Sequence, residues 1–131
     1  MENAKIVQDA YAAFGRGDVP AVLATCSSDV QWVVPGDPEL MPPAGTHHGV
    51  SGVATFFSTL AESQEAETFE PREFVEQGDK VIALGNYRWR VKATGKTFTS
   101  DFAHVFTLRD GKVVAFREFA DTAAVRDAYV E

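Results

Sequence analysis

The chain reads as an α+β domain in which three helices precede a meander of long antiparallel strands and cover one face of the curved sheet. Two observations carry this reading. Apolar residues recur at helical spacing as far as Glu62 and at a period of two from Thr68 onward. Gly78, Gly95 and Gly111 then separate the strand-like runs, where tight turns belong. At 131 residues, a single domain over 1–131 accounts for the sequence and can bury a core without disulfides.

The elements follow in order. Ile6, Val7, Ala10, Ala13 and Phe14 form one stripe, so residues 3–15 are expected as an amphipathic helix that stops at GRGD. Asp18 caps a second helix running through Cys26, with Pro20 accommodated in its first turn. A short strand from Val30 to Val34 ends at Pro35. PGDPELMPPAG is expected as an irregular loop, in which Leu40 and Met41 either fold over a cavity or anchor the loop. Val53, Phe56, Phe57 and Leu60 give a third helix, Ser51 to Glu62, packed by its aromatic face.

In VIALGNYRWRV, Tyr87 and Trp89 point one way while Arg88 and Arg90 point the other. That is a half-buried antiparallel strand, not one covered on both faces. Asp121 caps a short C-terminal helix, TAAVRDAYV. A curved sheet closed at one end by helices is a cone with room for a ligand at its mouth.

Composition narrows the function. Twelve basic residues against nineteen acidic ones leave a net charge of -7, which argues against nucleic acid as a partner. The cluster Arg88, Arg90, Lys92 and Lys96 reads as a solvated strand face and turn. A lone cysteine, Cys26, excludes an intrachain disulfide and a cysteine-based zinc site. MENAKIVQDAY has no long apolar run, and no segment approaches the roughly 20 apolar residues a membrane span needs. No membrane partner is expected, and the cytoplasm is the expected location.

The residues that could do chemistry cluster late in the chain. Glu118 shares strand parity with Phe116 and Val114, while Ala115, Arg117 and Phe119 take the other face. In an apolar cavity its carboxylate would be a proton acceptor or acid. On a rim it would pair with Arg90, Arg88 or Arg117. Asp101 lies on the preceding strand with Ala103 and Val105, either as a second carboxylate of the same cavity or facing solvent. His104 alternates with it beside Phe102 and Phe106 and reads as packing or interface.

His47 and His48 precede the third helix, where either could reach a pocket mouth or hydrogen-bond within the junction. Neither HxH nor HExxH occurs, so no metal site is expected. Tyr11, Trp32, Phe56, Tyr87, Trp89 and Phe116 are candidate walls for a mostly apolar or aromatic small molecule. The motifs GxGxxG, GxxxxGK[ST] and GxSxG are missing, and no cofactor is expected.

Three stretches carry a family resemblance that covers nearly the whole chain: YAAFGRGDVPAVLATCSSDVQWVVP, THHGVSGVATFF and HVFTLRDGKVVAFREFADTAAV. With them the chain resembles the SnoaL-like branch of the NTF2-like superfamily, which includes ketosteroid isomerases, polyketide cyclases and limonene-epoxide hydrolases. The resemblance implies an NTF2-like cone: a curved antiparallel sheet, three N-terminal helices, a short C-terminal helix and a homodimer formed through the sheet.

It also implies which chemistry is missing. The general-base aspartate of the isomerases falls on Val34, their acidic oxyanion-hole residue on Ala103 and their helix-1 tyrosine on Ala10, one position from Tyr11. The arginine and first aspartate of the epoxide hydrolases fall around Leu84 to Tyr87, where Asn86 could orient a water but cannot act as a base. Their last catalytic aspartate matches Glu118, within Phe116, Arg117 and Glu118. Similarity to the polyketide cyclases implies a shaped apolar pocket with one acid/base group.

The expected function is therefore a cofactor-independent acid/base enzyme of isomerase, cyclase or lyase type, acting on an apolar carbonyl or ring compound. Glu118 is its base or acid, Asp101 and His48 assist, and the aromatic residues with Asn86 bind substrate. The alternatives are a non-catalytic binder of a small apolar ligand, a hydrolase with an incomplete site, and a structural dimer whose cone its own side chains fill.

Overall fold

A computed structural model describes residues 2–131. Helix α1 spans Glu2–Gly15 and α2 Val19–Ala24; strand β1 follows at Cys26–Val34 and β2 at Gly45–His48. After α3, Gly49–Ser63, come β3 (Gln64–Gln77), β4 (Lys80–Val91), β5 (Thr97–Arg109), β6 (Lys112–Ala120) and α4 (Thr122–Tyr129). The strands form a 6-stranded sheet in the order β2-β1-β6-β5-β4-β3. The expected α+β class with N-terminal helices holds. The sheet is mixed, however, because β1 runs parallel to β6 while the other neighbours are antiparallel.

Local chemistry accounts for the helix ends. Asp18 Oδ1 accepts from Ala21 N at 3.1 Å and Asp121 Oδ1 from Ala124 N at 3.1 Å, so both expected caps satisfy first-turn N–H groups. The second helix ends sooner than Cys26. Thr25 Oγ1 and Thr25 N both bond to Val22 O, closing the last turn, and Cys26 opens β1 with its side chain in the core. Strand β2 lies where a loop-to-helix junction was expected. Its partner is β1, with Trp32 opposite His47 and Val34 opposite Gly45, so only a distant pairing defines it.

One face of the sheet is packed under the helices. Along β5, Phe98, Ser100, Phe102, His104, Phe106 and Leu108 are all buried, in strict alternation with more exposed neighbours. Val81, Ala83, Tyr87, Trp89 and Val91 do the same on β4. The other face carries charge: Arg88 Nε donates to Glu67 Oε1 at 2.7 Å and Arg90 Nη2 to Glu65 Oε1 at 2.8 Å.

Strand β6 looked mixed on both faces because its parity changes midway. Between the pairs Thr107–Ala115 and Leu108–Val113, β5 advances one residue and β6 two, so Val114 is the extra residue of a bulge. Val113 and Phe116 consequently both face the core. The preceding hairpin turns through Asp110 (φ 53°) and Gly111 (φ 77°), two consecutive left-handed residues as a two-residue hairpin requires.

Gly85 has no room for a side chain. A Cβ there would sit 2.7 Å from the Phe102 ring and 2.8 Å from Pro71 Cα, and would overlap the Glu70 carbonyl oxygen. Two of these are backbone atoms of β3, which is irregular between Pro71 and Glu73. Gly85→Ala is therefore expected to cost about 1–3 kcal/mol, as overpacking does, read as a lower urea midpoint at unchanged slope. An unchanged midpoint would show that β3 yields freely at Pro71. Among the described residues no helix is long and apolar enough to cross a membrane.

Candidate functional site

Helices α1, α3 and α4 and the covered face of the sheet enclose a cavity of about 120 Å³. Tyr11, Trp32, Phe56, Tyr87, Trp89 and Phe116 all stand on its wall, as does Glu118. Met41 reaches the same wall and is 4% exposed, so the proline-rich loop folds over the cavity through this residue. The lining is overwhelmingly apolar. Four of its polar side chains, those of Tyr11, Tyr87, His104 and Glu118, converge on one point.

That point is His104. It faces Glu118 directly across the β5–β6 ladder, and its Nε2 lies 2.8 Å from Glu118 Oε2. The two side chains are 6% and 17% exposed. A carboxylate only accepts, so Nε2 carries the proton and Nδ1 of the neutral ring is left as an acceptor. Tyr11 Oη, brought down by α1, lies 2.5 Å from that Nδ1 and donates to it. Tyr87 Oη on β4 donates to the same Glu118 Oε2 at 3.3 Å. Oε2 thus accepts from two donors, while Oε1 receives no hydrogen bond among the described residues.

Aromatic packing fixes the ring that links these groups. Phe102 stacks on His104 with centroids 4.1 Å apart at 18°, and Phe116 flanks it at 4.9 Å. An imidazole held between two phenyl rings cannot swing away without losing both contacts.

The phenols respond to their surroundings. Burial, reinforced by the Glu118 charge, raises the pKa of Tyr11 well above the usual value. Burial, then the Glu118 charge and hydrogen bond, raises that of Tyr87. Both hydroxyls therefore remain donors throughout the neutral range.

The sign for stability follows. Unfolded tyrosine ionises near 10 and the folded phenols do not, so above about pH 10 the unfolded state binds fewer protons. Stability is fully present below that value and is lost as the pH rises, by about 1.4 kcal/mol per pH unit for each such phenol. Urea midpoints measured across this range should fall steeply, and Tyr87→Phe should flatten the fall. Equal slopes in both proteins would mean that Tyr87 ionises in the folded state.

The structure does not bring Asp101 and His48 to this site. Asp101 has the opposite strand parity from His104 and is exposed on the other face of the sheet. His48 occupies the cap position of α3, exposed and without a capping side-chain bond. Its neighbour His47 hydrogen-bonds Pro43 O at 2.9 Å through Nε2. Asn86 also lies on the other face, opposite Asp101; with its amide turned to suit its neighbours, the nitrogen donates to Glu70 Oε1 and the oxygen accepts from Arg72 Nε. Asp101, His47, His48 and Asn86 are all absent from the cavity wall. Nor does an arginine hold Glu118: Arg88 and Arg90 pair with Glu67 and Glu65, and Arg117 lies over the Phe119 ring at 5.4 Å.

His104, which the sequence reads as packing or interface, is the hub of the polar cluster. The signal was its strict alternation with Phe102 and Phe106, which puts it inside. A polar ring at a core position needs partners. Among the described residues no group of three or more His, Cys, Asp and Glu side chains could hold a metal ion.

Comparison with known proteins places the chain in a family and a fold. The family model described as SnoaL-like domain matches residues 7–116. An uncharacterized protein of Mycobacterium tuberculosis strain H37Rv is 33% identical over 122 residues, covering 91% of this chain and 89% of its own. The crystal structure of an NTF2-like protein from Burkholderia xenovorans LB400 superposes with a TM-score of 0.89 at 40% identity, covering 98% of this chain and 96% of that one. TerC, co-crystallised with polyporic acid, gives a TM-score of 0.81 at 30% identity over 98% of both chains. The chain belongs to the SnoaL-like family and has the NTF2-like fold.

Proposed function

We propose that the protein is a cofactor-independent acid/base enzyme that moves a proton on a small, largely apolar ring compound bearing a carbonyl group. One observation carries the reading. A single carboxylate stands in an apolar, aromatic-walled cavity with one oxygen held by two donors and the other without a hydrogen bond among the described residues.

Glu118 Oε1 takes a proton from the carbon next to the carbonyl, and the C–H electron pair moves into the enolate. Return of the proton at another carbon isomerises the compound. Attack of the enolate on a second carbonyl cyclises it, and expulsion of a β-substituent makes the reaction a lyase step. His104 and Tyr87 position the carboxylate, and Tyr11 fixes the tautomer of His104. General acid–base catalysis of this kind contributes about 10²–10⁴-fold. Asp101, His48 and Asn86 have no part in this proposal, since none of them lines the cavity. TerC's co-crystallisation with polyporic acid supports an aromatic ring compound as the ligand class.

The test uses 2-tetralone, a small aromatic ring ketone with acidic hydrogens beside its carbonyl. In D₂O the protein is expected to speed loss of its α-proton signals in ¹H NMR above the buffer rate. Binding without faster exchange would make the protein a ligand carrier instead.

A further inference from the structure

Enolate chemistry needs a hydrogen-bond donor where negative charge develops on the carbonyl oxygen. The obvious hydroxyls are committed: Tyr11 donates to His104 and Tyr87 to Glu118. Gln64 Nε2, also on the wall, donates to Tyr129 Oη at 2.6 Å. Thr122 lies exposed at the cavity edge. One donor stands apart. Trp32 is 5% exposed and lines the cavity, and its buried Nε1–H has no hydrogen-bond partner among the described residues. Among the described residues it is the buried side-chain polar atom left without a hydrogen bond.

Its place in the sheet brings it near Glu118. Trp32 is the register partner of Phe116 across the parallel β1–β6 pair and stacks on that ring at 3.9 Å and 18°. Glu118 follows Phe116 by two residues, and both side chains line the cavity. Phe56 and Phe57 hold the other sides of the indole at 6.0 and 5.8 Å. An indole so confined keeps its N–H in a fixed direction. Leaving a buried donor unpaired carries a free-energy penalty that an acceptor supplied by a ligand removes.

We infer that the Trp32 indole N–H binds the carbonyl oxygen of the substrate, making Trp32 the residue that selects ring ketones over hydrocarbons of the same shape. The assignment rests on the acid/base reading of the cavity and adds the substrate's second contact. The carbonyl meets Trp32 while the neighbouring C–H meets Glu118.

The experiment compares 2-tetralone with tetralin, which has the same ring skeleton and no oxygen. Trp32 and Trp89 give the protein two indole N–H signals in a ¹H–¹⁵N spectrum. Tetralone should move the Trp32 signal downfield, and tetralin should leave its hydrogen-bonded state unchanged. Trp32→Phe, which removes the donor and keeps an aromatic ring, should weaken tetralone binding by about tenfold and spare tetralin. The wild-type spectrum stands as a test even if the variant folds poorly. Both ligands binding equally with the Trp32 signal unmoved would overturn the assignment while leaving the cavity a ligand site. Failure of both ligands to bind would overturn the cavity reading, and the assignment with it.

Discussion

Glu118→Gln should lower the rate of 2-tetralone proton exchange by about 10²–10⁴-fold while tetralin still binds. The size of the effect follows from the geometry. A glutamine amide has nearly the same shape, and its oxygen can still accept from His104 Nε2 and Tyr87 Oη. What it cannot do is take a proton at the position of Oε1. The loss should therefore fall on turnover and not on ligand affinity, which separates a base from a binding contact. Exchange that persists at the wild-type rate would remove Glu118 from the chemistry.

The second large effect is on stability. His104→Ala should lower the unfolding free energy by about 3–5 kcal/mol, because it breaks a buried pair and empties a packed position together. Urea unfolding measures it, against the ~5–15 kcal/mol typical of a whole domain. His104→Phe separates the two causes. A phenyl ring can still pack between Phe102 and Phe116, but it leaves the Tyr11 hydroxyl and the Glu118 carboxylate without their shared partner. The cost remaining in the Phe variant belongs to the polar network, and the difference between variants to packing. Combining His104→Phe with Glu118→Gln should give a coupling of about 0.5–3 kcal/mol. Strict additivity would mean that the 2.8 Å contact contributes nothing to stability.

Much of this site was legible one residue at a time. Glu118 stood out as a carboxylate at an interior-looking position, and Tyr11, Trp32, Phe56, Tyr87, Trp89 and Phe116 stood out as aromatic surface. Each of these residues lines the cavity. Asp101 and His48 were chosen for chemical type, and strand parity and helix position then turned them away from it. The same parity had already placed His104 between two phenylalanines. That alternation makes His104 an interior packing or interface residue, and only its contacts with Tyr11 and Glu118 make it the hub of the polar cluster. Asn86 misleads for a related reason: its neighbours Gly85 and Tyr87 serve the cavity side, but its own side chain crosses to the charged face.

The sequence by itself determined the α+β class, the helix caps at Asp18 and Asp121, the Gly-centred turns and the acidic, single-cysteine composition. These depend on contacts within a few residues or on simple counts, and such terms are complete in the chain. Only the tertiary structure decided that β1 runs parallel to β6, that Val114 shifts the parity of its strand, and that β2 exists. Each depends on a pairing partner remote in sequence. The same holds for the polar hub. Tyr11 and His104 are 93 residues apart, and their hydrogen bond needs α1 laid across the sheet. Burial then confers the chemical character, because removing water leaves these groups with only one another to bond.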